Sequence, residues 1–197
     1  MKRIGVLALQ GAFIEHIKIL QQLGAKAVPV RLPQELEGLD GLIIPGGEST
    51  TIGKLMQKYK LSPVIQRLIA EGLPVLGTCA GMILLANQVA GLDGYSLKVM
   101  DIGVKRNAFG RQVDSFETDI RMPILGDSPF HAIFIRAPWI ENMGNDVEIL
   151  AQLQDGTPVV AQEGNIIVAA FHPELTSDTR IHEYFLSLIE GREKCKK

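Results

Sequence analysis

The chain has 197 residues, and 20 Lys and Arg stand against 22 Asp and Glu, so its formal net charge is −2. This length suits one domain with a core of its own, and the balanced charge gives no indication of the basic stripe that nucleic-acid-binding proteins usually carry. With Cys79 and Cys195 as its two cysteines, the chain has neither a disulfide framework nor a zinc ribbon. No apolar run approaches the length of a membrane span, and the N-terminus makes a poor signal peptide. We therefore expect a soluble cytoplasmic protein that uses no metal, no cofactor, no nucleic acid and no membrane.

Short apolar runs alternate with helical patterns in the first half of the chain. Such runs are typical of strands that are buried on both faces of a parallel sheet. Strands are predicted over residues 4–9, 27–30, 41–44 and 74–77. Helices are predicted over residues 13–23, 50–58, 62–71 with Ser62 as N-cap, and 80–88. This alternation predicts a doubly wound parallel sheet.

Predicted strands lie closer together in the second half, at residues 100–105, 115–122, 131–135, 147–153, 158–162 and 166–170. Asp155-Gly156 and Gly164-Asn165 are strong turn signals. The fold class is therefore α/β, an open and mostly parallel sheet with an antiparallel extension. An amphipathic helix over residues 178–190 ends at Gly191. We expect a single domain over residues 1–191 and a charged tail over residues 192–197, in which Cys195 is an incidental thiol.

The segment Gly77-Thr78-Cys79-Ala80-Gly81 lies between a predicted buried strand and a predicted helix. It has the Gly-x-nucleophile-x-Gly form of a nucleophile elbow, a sharp turn that lifts the nucleophile above the sheet edge. The helix N-terminus beyond Cys79 favours the thiolate, and the N–H of Ala80 becomes an oxyanion donor. The alternative is that Cys79 is a small buried apolar residue, the usual role of a free cysteine.

A thiol nucleophile needs a base, and His172 is the best candidate because it follows a buried strand, in Phe171-His172-Pro173-Glu174. Proline favours extended backbone at the residue before it, and residues i and i+2 of an extended segment point to the same side. Glu174 can then hold one ring nitrogen while the other faces the thiol. With Cys79 this predicts a Cys-His-Glu triad. The remaining histidines receive other roles: solvated or supporting for His16, structural for His131, and surface or local hydrogen-bond donor for His182.

The glycine-rich segment Pro45-Gly46-Gly47-Glu48-Ser49-Thr50 follows another predicted strand. Two glycines allow backbone N–H groups to turn inward and to supply a second oxyanion donor, and Glu48 would suit a substrate ammonium group. The alternative is a plain turn before a helix, with Ser49 as N-cap. The segment is not a phosphate-binding P-loop, because the Gly-x4-Gly-Lys pattern is absent. All three segments follow the carboxyl ends of strands, where open α/β sheets place their sites.

The order of the candidate residues disfavours two other classes of hydrolase. In α/β-hydrolases the acid precedes the histidine, whereas here Glu174 follows His172. Proteases and other thiol proteins of the same fold often have a histidine directly after the elbow cysteine, and here Ala80 occupies that position.

These motifs resemble class I glutamine amidotransferases and, more narrowly, the glutaminase subunits of pyridoxal 5′-phosphate synthase. The broad class rests on the elbow and on the His-x-Glu pair, and the resemblance covers nearly the whole chain. The segments 45–51 and 77–82 also carry the resemblance. The narrower resemblance rests on Leu9-Gln10-Gly11-Ala12-Phe13 with Glu15-His16, on Arg106-Asn107-Ala108-Phe109-Gly110-Arg111-Gln112, and on residues 176–182. It implies a flavodoxin-like three-layer sandwich.

The resemblance implies hydrolysis of L-glutamine to glutamate and ammonia through a γ-glutamyl thioester. Cys79 would be the nucleophile, His172 the base and Glu174 its orienting partner, and the N–H groups of Gly47 and Ala80 would form the oxyanion hole. The residues implied to hold glutamine are Gly47, Glu48, Ser49, Arg106, Ile135 and Arg136. Either arginine is suited to bind the α-carboxylate in a bidentate manner.

The resemblance also implies a partner, a synthase subunit that joins the ammonia to a pentose phosphate and a triose phosphate. Because a glutaminase fills the domain, we expect the synthase to be a separate chain. The family implies weak activity until that subunit docks, and a flip of the Gly46-Gly47 peptide that completes the oxyanion hole is a physical account of this. The alternatives are a glutaminase subunit for another synthase, such as imidazole glycerol phosphate synthase, a non-catalytic binding protein, or a thiol hydrolase of γ-glutamyl peptides.

Overall fold

The computed structural model describes residues 1–92, 94–106 and 115–195. The motif from Asn107 to Gln112, the thiol of Cys195 and residues 196–197 lie outside the described residues. The strands are β1 (Arg3–Leu7), β2 (Lys26–Val30), β3 (Gly41–Ile44), β4 (Val75–Thr78), β5 (Ala86–Val89), β6 (Met100–Lys105), β7 (Ser115–Ile120), β8 (Phe130–Ile135), β9 (Trp139–Met143), β10 (Glu148–Gln152), β11 (Pro158–Glu163) and β12 (Ile166–Ala169). The helices are α1 (Phe13–Gln22), α2 (Ser49–Lys58), α3 (Ser62–Ala70), α4 (Ala80–Leu85) and α5 (Arg180–Cys195).

The main sheet has the strand order β10-β11-β12-β4-β3-β1-β2 in the part of the chain that the structure describes. The strands from β12 to β2 are parallel, and β10 and β11 add the antiparallel extension. The predicted fold class is therefore confirmed. The parallel part has the flavodoxin-like order, in which the chain reverses direction across the sheet between β1 and β3. The loops after these two strands consequently meet at the carboxyl edge.

Helices cover both faces of this sheet. A Cβ atom at Gly41 would meet Phe185 and Ile189, so α5 packs on the face to which Gly41 turns. Ile44 lies three residues further along the same strand and therefore faces the other side, where its Cβ lies against Gly81 of α4. The result is a three-layer arrangement whose core consists of the continuous apolar strands and the inner helix faces.

Several strands lie outside the main sheet, among them β6, β7 and β8, which the sequence pattern assigned to its antiparallel extension. β5, β6 and β9 form a separate three-stranded sheet, and β7 and β8 form an antiparallel pair, within the described residues. The helix predicted over residues 80–88 ends at Leu85, because Ala86–Val89 pairs with β6 instead. The β7–β8 pair joins the main core through Phe134, whose ring lies 4.5 Å from that of Phe116 and 5.3 Å from that of Phe171 between centroids.

Two further predicted helix ends were wrong. Leu61, not Ser62, is the N-cap of α3, and no side chain caps that helix. The final helix does not end at Gly191 but continues to Cys195, since a glycine ends a helix only where it adopts a left-handed conformation. Among the described residues, no helix combines the length and apolar character that a membrane span requires.

We expect Gly81→Ala to destabilise the protein by about 3 kcal/mol or more, because its Cβ would overlap the backbone carbonyl of Ile44 in the neighbouring strand. Gly191→Ala is the matched control, since Gly191 lies in a helix with open space around it. There we expect a gain of about 0.5–1 kcal/mol. Urea unfolding of both variants measures the two changes, and equal effects of the two substitutions would contradict the close approach of β3 and α4.

Candidate active site

The backbone at Cys79 adopts a conformation that side chains other than glycine rarely take. Its φ is 49° and its ψ is −101°, between the last residue of β4 and the first residue of α4. The Cys79 N–H donates to the carbonyl of Ala169 in the adjacent strand at 2.8 Å, which anchors the turn. Glycine is required on both sides, because a Cβ at Gly77 would crowd Leu85 and one at Gly81 would overlap Ile44. This is the strained turn that a nucleophile elbow needs.

His172 and Glu174 lie together beside this turn. The His172 backbone N–H donates to the carbonyl of Ile133 at 2.9 Å, and ring Nδ1 lies 2.6 Å from Glu174 Oε1. Glu174 is 5% exposed, so this pair is largely shielded from water. The extended geometry expected for the segment was wrong, because Pro173–Leu175 forms a 3-10 turn that folds Glu174 back onto the ring. The predicted contact nevertheless forms.

The surroundings of His172 favour its protonated ring. Burial alone would lower the pKa of His172, but hydrogen bonds and electrostatic attraction to Cys79 and Glu174 raise it from 6.5 to about 10. A ring with this pKa readily takes the proton of a thiol and can later deliver it to a leaving group. The other ring nitrogen, Nε2, is the one left free for this transfer.

The loop after β3 is anchored to the loop after β1. The Ala12 N–H donates to the Gly46 carbonyl at 3.1 Å, and the Glu48 N–H donates to Gln10 Oε1 at 2.7 Å. Gly47, between them, has a φ of 158°. A Cβ at Gly46 would overlap the His172 ring, so this loop packs directly against the predicted base.

Glu48 is the N-cap of α2, so Ser49 does not have the capping role considered for it. The Glu48 carboxylate accepts hydrogen bonds from the N–H groups of Thr50 at 3.0 Å and Thr51 at 2.6 Å, while Ser49 is the first helical residue and is buried. Burial raises the pKa of Glu48, but the hydrogen bonds from Thr51 and Thr50 lower it more, to about 2. The site therefore carries a fixed negative charge at neutral pH.

The structure places the predicted substrate residues around the same edge. Arg106 Nη2 lies 3.5 Å from Glu48 Oε1, which joins a cation and an anion at the site. The Cys79 sulfur lies 3.8 Å from the Ile135 carbonyl oxygen. Arg136 follows with a left-handed φ of 45°.

Two histidines that sequence reasoning placed outside the triad lie behind it. His16 and His182 are fully buried, and their rings are joined at 2.8 Å between Nδ1 and Nε2. The surface position considered for His182 was therefore wrong, as was a solvated His16. His131 is exposed and lies within hydrogen-bond distance of Asp119 and Glu117. Among the described residues, no three His, Cys, Asp or Glu side chains are placed to hold a metal ion together.

Known glutamine amidotransferases are similar to this chain along nearly its whole length. Residues 6–191 match the model of the SNO glutamine amidotransferase family. The chain is 58% identical over 188 residues to the pyridoxal 5′-phosphate synthase subunit PdxT of Herpetosiphon aurantiacus, with 94% of this chain and 99% of that protein covered. It is 56% identical over 187 residues to the subunit of the same name from Moorella thermoacetica, with 95% and 99% covered. A solved structure described as a glutamine amidotransferase, 48% identical, superposes with a TM-score of 0.90 over 95% of this chain and 98% of that chain.

Unfolding across a pH series tests the electrostatics of His172. Folding raises its pKa from 6.5 to about 10, so its stabilising contribution is complete below pH 6.5 and is lost as the pH rises through 10. We expect the free energy of unfolding of the unmodified chain to decline over this interval relative to that of His172→Gln, by up to about 1.4 kcal/mol per pH unit. Urea unfolding of both proteins measures the difference, and parallel pH curves would show that the ring is not held in its protonated form.

Proposed function

The chain belongs to the SNO glutamine amidotransferase family, and on this premise we propose that it is the glutaminase subunit of a pyridoxal 5′-phosphate synthase. The observation that supports this most directly is the placement of Cys79 on its strained turn, beside His172, with the ring held by a buried Glu174. The PdxT names of its relatives support the particular synthase. The reaction converts L-glutamine and water into L-glutamate and ammonia.

The first step forms a covalent bond between Cys79 and the substrate. His172 takes the thiol proton, and the sulfur attacks the side-chain carbonyl carbon of glutamine. Glu174 orients the ring through Nδ1 and stabilises the positive charge that the ring acquires. The negative charge that develops on the carbonyl oxygen is stabilised by the N–H groups of Gly47 and Ala80.

The second half of the reaction releases both products. His172 returns its proton to the departing nitrogen, the C–N bond breaks, and ammonia leaves behind a γ-glutamyl thioester on Cys79. Water then attacks the thioester, with His172 acting again as base, and glutamate leaves as the thiol re-forms. One base of high pKa therefore serves as acceptor and donor in turn.

The charges near the thiol match an amino-acid substrate. The Glu48 carboxylate, whose pKa is lowered to about 2, is suited to the α-ammonium group, and Gly47 and Ser49 lie on either side of it. Arg106 or Arg136 pairs with the α-carboxylate, since a guanidinium group binds a carboxylate in a bidentate manner. The Ile135 carbonyl, next to the sulfur, lies where the side-chain amide is to be positioned.

The partner is a synthase subunit that takes the ammonia directly and joins it to a pentose phosphate and a triose phosphate. Support for this comes from the relatives, which are named as subunits of such a synthase. A cytoplasmic location is consistent with the chemistry, because the reaction needs Cys79 as a free thiol and the reducing cytoplasm maintains thiols.

We expect Cys79→Ala to lower glutamine hydrolysis by at least about 10³-fold, since the variant lacks the thiol that forms the thioester in the proposed mechanism. Folding, partner binding and synthesis from free ammonium should persist, because the ammonia-using site is on another chain. Cys195→Ala is the control and should hydrolyse glutamine at the unmodified rate. Assays of glutamate release and of ammonium-driven synthesis give both results. Substantial glutaminase activity in Cys79→Ala would contradict the assignment of the nucleophile.

Glutamine turnover with and without the synthase subunit tests the partner and the loop. We expect turnover to rise when the synthase is added, because docking would release the Gly46 carbonyl from Ala12 and let the Gly46-Gly47 peptide complete the oxyanion hole. Adding imidazole glycerol phosphate synthase as the control should have no effect. Equal turnover with and without the first synthase would contradict activation by docking, and activation by the second would reassign the partner.

A further inference from the structure

A buried row of polar side chains continues behind His172 and Glu174. Glu174 Oε1 faces His172, and Glu174 Oε2 lies 3.4 Å from Nε2 of His16. His16 Nε2 also lies 3.2 Å from the hydroxyl of Thr78, and His16 Nδ1 lies 2.8 Å from His182 Nε2. The row thus connects the start of α5, through α1, to the residue that orients the predicted base.

The protonation of the two histidines follows from their surroundings. Burial and the neighbouring His182 and His172 hold the pKa of His16 well below 6.5, and burial lowers that of His182 to about 4. Both rings are therefore neutral at neutral pH, and each carries one N–H. Their other ring nitrogens act as acceptors.

Only one arrangement of these two protons avoids a serious penalty. His182 Nδ1 is buried and makes no hydrogen bond within the described residues, so a proton there would be an unpaired buried donor. The proton of His182 accordingly lies on Nε2 and is donated to His16 Nδ1. The proton of His16 then lies on Nε2, where it faces Thr78 and Glu174. If the proton of His16 were on Nδ1 instead, the lone pair of His16 Nε2 would also face the carboxylate oxygen Oε2 of Glu174.

Glu174 Oε2 needs the donor that this arrangement provides. It is buried and otherwise makes no hydrogen bond among the described residues. At 3.4 Å the contact is longer than the usual N–H···O range of about 2.7–3.2 Å, so a small closing movement is enough to form the bond. A neutral donor suits this position, because a second cation would compete with His172 for the same carboxylate.

We propose that His16 is a positioning residue for the reaction, with His182 setting its tautomer and His16 Nε2–H holding Glu174 so that its other oxygen faces His172. The proposal rests on the proposed glutaminase function. His16 acts through Glu174 and touches no reacting atom.

Two substitutions at His16 separate this role from packing. His16→Met fills the space without a donor, whereas His16→Gln keeps an N–H near the position of Nε2. We expect His16→Met to lower kcat about tenfold with KM changed by less than about threefold, and His16→Gln to recover most of the loss. Ile19→Val, a buried change on the same helix, is the control and should leave kcat unchanged. Unchanged kcat in His16→Met, or equal losses in the Met and Gln variants, would overturn the proposal.

Two further measurements do not depend on glutamine turnover. Alkylation of Cys79 by iodoacetamide, followed at the Cys79 peptide by mass spectrometry, should slow about tenfold in His16→Met and recover in His16→Gln. In the unmodified, nitrogen-15-labelled chain, NMR should show both His16 and His182 neutral with the proton on Nε2. A His16 that is cationic or protonated on Nδ1 at neutral pH would overturn the proposal even if no variant folds. If the unmodified chain shows no glutaminase activity with its synthase, the proposed function fails, while these two results still decide the role of His16.

Discussion

The left-handed backbone at Cys79 is the constraint on which the site depends. Such a conformation costs about 1–3 kcal/mol, and it persists because the surroundings leave the chain no alternative. The Cys79 N–H is held by Ala169, and Gly81 lies so close to Ile44 that only a residue without a Cβ fits. The turn therefore requires β3, β4 and β12 to be in register. It places the Cys79 sulfur at the edge of the sheet where the loops after these strands meet.

The buried histidines at this edge of the sheet differ in charge because their surroundings differ. His172 is stabilised as a cation between the sulfur and Glu174, whereas His16 and His182, a few ångströms further in, are kept neutral by burial. The difference comes from the partners, because among these three buried histidines His172 alone has a carboxylate oxygen as close as 2.6 Å. One carboxylate can support one buried cation, and the deeper histidines then serve as neutral donors and acceptors.

Much of the fold could be predicted because its central strands are continuous apolar runs. The three candidate triad residues, which the structure brings together, could be selected because each lies in a local motif at a strand end. Strands β5 and β9 were missed, since Asn87 and Gln88, like Glu141 and Asn142, break the apolar pattern and only pairing with β6 makes these segments strands. The 3-10 turn at Glu174 was missed, because the extended backbone that a proline favours at the residue before it was assumed for the whole segment. The pairing of His16 with His182 joins positions 166 residues apart, which no local pattern reveals.

The pairing of these two histidines explains why polar groups lie where apolar ones would pack more easily. A shorter or different side chain at position 174 would release His172. The second oxygen of Glu174 is buried as well, so it requires a hydrogen-bond donor on the side that faces away from His172. His16 of α1 faces that oxygen at 3.4 Å, and the second ring nitrogen of His16 is paired with His182 of α5. Each buried polar group thus requires the next. The row ends at His182 Nδ1, where leaving a lone pair without a partner costs less than leaving a buried N–H without one. The polar interior between the two helices is therefore a consequence of placing a carboxylate beneath the predicted base.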